Sequence, residues 1–306
     1  FAEEETQVEK VLDNQDYLEL FVAAKRVEGC TERTIEYYRS TIQNMFSIIG
    51  LPIRQITTDV LREYLTKYQS NNNCGKVTVD NIRRNLSSFF SWLEDEDHII
   101  KSPIRRIHKV KTGTIVKETF SDENIETLRD GCHSIRDLAI IDLLYSTGIR
   151  VGELVNLNID DVDLEGRECI VYGKGDKERR VYFTERCKRA ILNYLREREE
   201  EGIISEYLFC SSKAPKKRMI NSEPYKKLNN RGYQEIVNKM QKQANIEMRI
   251  TPHTFRHTMA TFALRSGMKP EIIQQILGHN DVGLTLRCYA KLAQTEVEYT
   301  YRKLVS

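Results

Sequence analysis

The sequence predicts a mainly α-helical protein in two domains, the second of which also holds a small antiparallel sheet. Three observations predict it. Apolar residues recur at helical spacing through the first 100 residues and again after residue 120. Around GKGDKER (173–179) the pattern changes to short β-rich runs. An acid-free basic stretch with a Pro and a Gly separates the two helical halves, and 306 residues exceed one comfortable small core.

Taken in order, Val8–Val27 is the first expected helix, with Val11, Leu18, Leu20, Phe21 and Ala24 at helical spacing. Thr31 is the expected N-cap of the second, and Gly50 closes it. TTDVLREYLTKYQ (57–69) makes a shorter third helix that again opens on Thr. NNNCG (71–75) breaks the chain, and 77–97 is a fourth helix with Ile82, Leu86, Phe89, Phe90 and Leu93 inward. Four helices with short connections make a bundle, placed at 8–100. The stretch 101–117 reads as an extended basic interdomain linker. The second domain, 118–306, starts with a helix capped by Ser121 that carries Asp122 and Glu123 in its first turn. DLAIIDLLYSTG (137–148) is an apolar helix that Gly148 ends. Cys169–Tyr172 and Arg180–Phe183 form a hairpin, with a further strand near Leu157–Asp163. Helical patterning returns from Glu185 to Glu200 and dominates the remainder, including a helix from Pro270 that Gly278 caps. No internal repeat or low-complexity segment is present.

Composition narrows the function classes. Hydrophobic content of 40% and charged content of 30% describe an ordinary globular protein, with no apolar run long enough to span a bilayer and no signal-peptide pattern. The expected location is cytoplasmic, with no membrane partner. Seven cysteines (Cys30, Cys74, Cys132, Cys169, Cys187, Cys210 and Cys288) occur without a CxxC pair, which argues for reduced thiols rather than disulfides or zinc. The net charge of +2 conceals strong segregation. Residues 1–100 carry 11 Lys/Arg against 17 Asp/Glu, residues 101–117 carry six against none, and residues 211–249 carry ten against three. A polyanion responds to the local field, so two basic runs point towards nucleic acid. Arg33, Arg39, Lys76, Arg83 and Arg84 are the expected DNA-facing cations of the bundle, joined by Lys101, Arg105, Arg106, Lys109 and Lys111 of the linker. Arg62 and Lys67 read as ordinary solvent charges.

Chemistry concentrates near the carboxy terminus. TPHTFRHTMAT (251–261) and LGHNDVGLTLRCYAKL (277–292) supply His253, Arg256, His279 and Tyr289, and TGIRVGEL (147–154) supplies Arg150. Pro252 suits a first helical position, so His253 falls in the first turn and Arg256 lies on the same face. Free amides and the positive dipole end make that terminus a natural phosphate site. Two arginines, two imidazoles and a phenol suit attack by tyrosine on a phosphodiester whose oxygens are held by cations. His253 and His257 also stand at a metal-ligand spacing, but Thr254 occupies the position where a zinc protease has Glu, and no third ligand is evident. GKGDKER lacks the GxxxxGK[ST] spacing of a P-loop, and a hairpin is the wrong context for one. Lys174, near the hairpin tip, suits a mobile general acid.

Together these segments resemble the tyrosine recombinase (phage-integrase-type) family over nearly the whole chain. TGIRVGEL matches the first arginine box, giving Arg150 with Glu153 as a supporting acidic neighbour. GKGDKERRV is similar to the hairpin-lysine segment, giving Lys174. HTFRH gives His253 and Arg256, LGHN gives His279, and RCYAKL gives Tyr289 as nucleophile. Where many members have Thr-Thr before the tyrosine, this chain has Leu284-Thr285. The bundle is similar to the family's core-binding domain, and the layout is similar to the short Xer-like and transposon-type recombinases.

The resemblance implies cleavage and rejoining of double-stranded DNA at specific core sites through a 3′-phosphotyrosine. Arg150 and Arg256 would hold the non-bridging oxygens, His279 would donate a further hydrogen bond, His253 is the candidate base, and Lys174 would protonate the departing 5′ oxygen. The covalent link conserves the phosphoester, so neither a metal nor another cofactor is expected. The resemblance further implies a homo-tetramer on two sites, and the tail 290–306 is expected to dock in a neighbouring protomer. It leaves room for an accessory DNA-bending protein. Integration or excision of a mobile element is the first expected task, and Xer-like resolution of chromosome or plasmid dimers the second. A type IB topoisomerase and a non-catalytic DNA-binding regulator are the competing classes, separable by relaxation, strand-exchange and covalent-adduct assays.

Overall fold

The structure, a computed structural model, describes residues 12–111, 119–173, 178–211 and 225–278. The chain divides into two compact units, Phe1–Thr114 and Ile115–Ser306.

In the first unit, α1 (Asn14–Val27), α2 (Glu32–Ile49), α3 (Thr58–Asn71) and α4 (Lys76–Asp95) bury one core. The first three helices start where a side chain satisfies their free amides, and α4 starts after Gly75 without a side-chain cap. The Asp13 carboxylate accepts from the Gln15 and Asp16 amides at 2.8 Å each, and Asp16 accepts from the Asp13 amide at 3.0 Å. This reciprocal cap sets the described start of α1 at Asn14; the earlier start expected at Val8 falls outside the described residues. Thr31 and Thr57 cap α2 and α3 as expected, and Gly50 ends α2 in the left-handed region at φ 66°. The fourth helix buries all five residues expected to face inward.

The expected extended linker is corrected over its described part. Pro103–Arg106 form a 3-10 turn, Ile104 is buried in the bundle core, and Ile107 and Val110 pack beside it. Thr58 Oγ1 donates to the Pro103 carbonyl at 2.6 Å, Glu94 accepts the Ser102 amide at 3.0 Å, and Asp80 accepts the Val110 amide at 3.1 Å. The apolar positions Ile104, Ile107 and Val110, three apart, provide enough burial to fold this segment against α3 and α4 in spite of its charge. Residues 112–117 of the stretch lie outside the described residues.

In the second unit, α6 (Ile135–Thr147) is the central element. It is apolar on nearly every side, with Ala139, Ile140, Ile141, Leu143 and Leu144 buried. It packs against α8 (Glu185–Glu200) and α10 (Pro252–Arg265). Around it lie α5 (Asp122–Asp130), the short α7 (Val151–Leu154), α9 (Asn230–Gln243) and α11 (Pro270–Leu277). Ser121 caps α5 and Gly148 ends α6 at φ 60°, both as expected.

The sheet is three-stranded and antiparallel in the order β1 (Val162–Asp163), β2 (Glu168–Tyr172), β3 (Glu178–Tyr182). Cys169 pairs with Val181, and Ile170 with Arg180. The first strand is shorter than expected, because residues 157–159 pair elsewhere: the Leu157 carbonyl accepts the Leu208 amide, and the Ile159 amide donates to Glu206, both at 2.9 Å. The protein is thus mainly helical with one small sheet.

Candidate active site

Two helix ends build the site. Helix α6 stops at Gly148 and α11 stops at Gly278, both glycines lying in the left-handed region at φ 60° and 61°. A left-handed cap leaves carbonyls at a helix end without a helical donor, and the negative end of the helix dipole points the same way. Guanidinium groups take up these acceptors.

Arg256 comes from the second turn of α10, whose start is fixed by Thr251 accepting the Thr254 amide at 3.2 Å and by Pro252 in the first position. Its side chain is buried and donates to the Gly148 carbonyl at 2.9 Å and to the Leu277 carbonyl. Burial, together with the nearby Arg150 charge, lowers its guanidinium from the ordinary value to about 9. Arg150 precedes α7 and is half-exposed. Its Nη2 donates to the Gly278 carbonyl at 2.6 Å and its Nη1 to Glu153 at 2.8 Å. The two arginines, far apart in sequence, therefore grip the carbonyls of consecutive residues.

Glu153 is buried and accepts four bonds. Two come from Arg150, its backbone amide and Nη1, each at 2.8 Å. The other two come from Arg179 on β3, Nη1 and Nη2, each at 2.7 Å. Burial raises the carboxyl, but the Arg179 and Arg150 bonds outweigh it and hold Glu153 below its usual range. Arg179 Nε also reaches the Ile276 carbonyl at 2.8 Å. Two guanidiniums thus hold one carboxylate, with Arg256 on the neighbouring carbonyls, and the excess positive charge of the three suits an anion.

Arg179 is the residue that the sequence reading missed. A signal was present: with Val181 inward, period two puts Arg179 on the same face, and a charged residue on the inward face of a strand needs a partner.

The remaining candidates divide in two groups. His253 is exposed in the first turn of α10, one turn before Arg256. Lys174, His279 and Tyr289 lie outside the described residues, as does the tail 290–306. Lys174 belongs to the segment joining β2 to β3, and His279 directly follows the Gly278 cap in sequence. Among the described residues, no group of three or more His, Cys, Asp and Glu could hold a metal ion, and no helix is long and apolar enough to cross a membrane.

Two basic candidates of the first unit, Arg83 and Arg84, meet at Asp80. It pairs with Arg83 at 2.9 Å, lies 3.6 Å from Arg84, and accepts the Val110 amide between Lys109 and Lys111. Arg33 on α2, Lys76 at the start of α4, and Lys101, Arg106, Lys109 and Lys111 are exposed. Arg39 is committed to Glu19, with its Nη2 at 2.8 Å, and Arg105 lies 3.1 Å from Glu94. Arg62 and Lys67 pair along α3 with Asp59 and Glu63 at 2.7 and 2.6 Å, the ordinary surface arrangement.

Two family models match the chain: the Phage integrase family over residues 118–296, and the Phage integrase, N-terminal SAM-like domain over residues 17–100. A tyrosine recombinase of Agathobacter rectalis is 30% identical over 289 residues, which covers 88% of each chain. A tyrosine recombinase XerC of Oceanobacillus iheyensis is 29% identical over 303 residues, 94% of this chain and 95% of that protein. Among solved structures, the Tn1549 transposon integrase in complex with a circular intermediate DNA shares the fold. Its TM-score is 0.70 at 20% identity, over 93% of this chain and 99% of that one.

Proposed function

This chain belongs to the phage integrase family of tyrosine recombinases, enzymes of site-specific recombination, and we propose that it breaks and rejoins double-stranded DNA through a phosphotyrosine at Tyr289. The observation that carries the proposal is the convergence of Arg150 and Arg256 on the carbonyls of Gly278 and Leu277. A phosphodiester under attack spreads charge over its non-bridging oxygens, and rigidly held guanidiniums stabilise that charge without reorganising. Backbone carbonyls fix the direction of both arginines without neutralising them. A phosphate that arrives between them meets preoriented donors, and His279, next in the chain after Gly278, is placed by sequence to add one more.

A tyrosine hydroxyl in water loses its proton only near pH 10, so attack by Tyr289 needs both a base and a cationic setting. His253, exposed one turn before Arg256, is the proposed base. Lys174 protonates the departing 5′ oxygen. Attack breaks the phosphorus–5′ oxygen bond and forms a phosphotyrosine ester, and a 5′-hydroxyl of a second duplex reverses the step. The basic groups around Asp80 and the exposed lysines of 101–111 are proposed to lie along the DNA backbone, where phosphate contacts position the protein without reading sequence.

The working assembly is proposed to be a homo-tetramer on two duplexes, with the tail 290–306 docked in a neighbouring protomer. The proposed task is integration or excision of a mobile element. Similarity to XerC over almost the full length favours a second reading, resolution of chromosome or plasmid dimers.

Suicide duplexes that trap the covalent intermediate test the proposal. The parent forms a protein–DNA adduct, Tyr289→Phe forms none, and sequencing the trapped ends identifies the site and thereby the task. An adduct that persists in Tyr289→Phe overturns the assignment. Deleting 293–306 is expected to abolish two-site recombination while single-site DNA binding survives; unchanged recombination would remove the tail-docking idea.

A further inference from the structure

Arg179 engages all three nitrogens of its guanidinium on two acceptors. Nη1 and Nη2 close on the two oxygens of Glu153 at 2.7 Å each, and Nε closes on the Ile276 carbonyl at 2.8 Å. Its side chain is 12% exposed and that of Glu153 is 4% exposed, so the pair sits beneath the surface that Arg150 presents, at 37% exposure. Gly278 lies flat against it: a Cβ at that position would stand 3.1 Å from both Cδ and Nε of Arg179. Such contacts form a continuous chain from β3, through Glu153 and Arg179, to the turn whose carbonyls hold Arg150 and Arg256.

Without Arg179, Glu153 would keep the Arg150 amide and Arg150 Nη1 and lose its other two bonds. A buried carboxylate with one remaining cation draws that cation in, because the pairing offsets its desolvation. Arg150 would then turn both terminal nitrogens onto Glu153 and release the Gly278 carbonyl. The carboxylate would compete with the DNA phosphate for the same guanidinium.

We infer that Arg179 is a positioning residue for strand cleavage: it saturates Glu153 so that Arg150 stays aimed at the scissile phosphate, and it pins the Ile276–Gly278 turn to β3. The inference rests on the proposed cleavage at Arg150 and Arg256. It assigns Arg179 no contact with DNA.

The test uses the full chain and a suicide duplex, measuring the rate of covalent adduct formation beside single-site DNA affinity. Arg179→Met is expected to slow cleavage by about 10- to 100-fold, the scale of a misaimed reacting group, while single-site affinity changes by less than about threefold. Adding Glu153→Gln to Arg179→Met removes the competing charge and is expected to recover about tenfold of that loss. A purely structural role predicts the opposite, a double variant no faster than the single one. Arg179→Lys keeps the charge but offers one nitrogen where the fork uses three, and its rate should fall between parent and Arg179→Met. It stands in if Arg179→Met does not fold, as judged by its thermal unfolding. Parent-like cleavage by a folded Arg179→Met or Arg179→Lys overturns the inference, as does a double variant without recovery. A parent that forms no adduct overturns the cleavage reading and the inference with it, so the two failures are distinguishable.

Discussion

Gly148→Ala and Gly50→Ala form a matched pair that separates backbone strain from close packing. Both glycines end helices in the left-handed region, at φ 60° and 66°. An alanine there costs about 1–2 kcal/mol in conformation. The gain of about 0.4–1 kcal/mol from a less flexible unfolded chain offsets part of this. Around Gly50 a Cβ meets nothing within 4 Å, so Gly50→Ala should lose only the difference, about 0.5–1 kcal/mol. Around Gly148 the same atom would stand 2.9 Å from Leu277 Cδ2 and 3.4 Å from Met259, inside a packed helix contact. Overpacking adds about 1–3 kcal/mol, for a total of about 1.5–4 kcal/mol. Urea unfolding reads the two losses. The fluorescence of Trp92, the sole tryptophan, follows the first unit, and far-UV circular dichroism follows the helices of both. The damage at Gly148 should also reach function, since its carbonyl and that of Leu277 are the two acceptors of Arg256. Adduct formation by Gly148→Ala should therefore fall even at temperatures where the variant is fully folded. Equal stability losses for the two variants would refute the packing argument, and parent-like cleavage would refute its link to Arg256.

Three further outcomes follow from other parts of the structure. Asp142 and Arg129 form a buried pair at 2.6 Å, and burial has already raised the Asp142 carboxyl despite Arg129. Arg129→Met should cost about 3–5 kcal/mol by stranding that carboxylate, and Asp142→Leu added to it should restore most of the loss in the same urea experiment. Ile104→Ala should cost about 2–4 kcal/mol and shift the Trp92 transition, because the basic segment belongs to the bundle core. A negligible shift would return it to the status of a linker. Glu153 is held below its ordinary range in the folded state, so its contribution is present above the unfolded value and is lost as pH falls through the folded one. The melting temperature of Glu153→Gln should accordingly decline less steeply than the parent's between about pH 5 and pH 3. Parallel profiles would deny the carboxylate that role.

Helix limits were legible at many capped ends, although the Asp13 cap of α1 and the Ser134 cap of α6 lie away from the expected starts. Ser121, Thr31, Thr57, Thr251, Gly50, Gly148 and Gly278 all mark ends that the structure shares. The basic stretch resembles a linker because its charge masks the apolar spacing of Ile104, Ile107 and Val110, which burial rewards whatever lies between. The first strand was overextended because residues 157–159 look β-like and do pair, but with 206–208, a partner that no local pattern announces. Among site residues, Arg150, Glu153 and Arg256 were legible from their boxes, and the structure brings them together. Arg179 was hidden inside a run of charges, and only its register with Val181 distinguishes it from Arg180, which is exposed and paired with Glu168 at 2.8 Å.

The way the arginines are held also bears on why helix ends frame this site. A guanidinium must be fixed in direction before it can stabilise a transition state, and the strongest fixing partners are carboxylates. Each carboxylate, however, cancels a charge that the phosphate needs. The carbonyls of Gly148, Ile276, Leu277 and Gly278 provide direction at no cost in charge, and they accept from Arg150, Arg179 and Arg256 between them. Among the described residues only one carboxylate, Glu153, enters the cluster, and Arg179 closes on both of its oxygens. Three cations against one anion leave the site positive while keeping every guanidinium oriented. A cluster aimed by carboxylates alone could match the geometry, but its charge would be spent before DNA arrived.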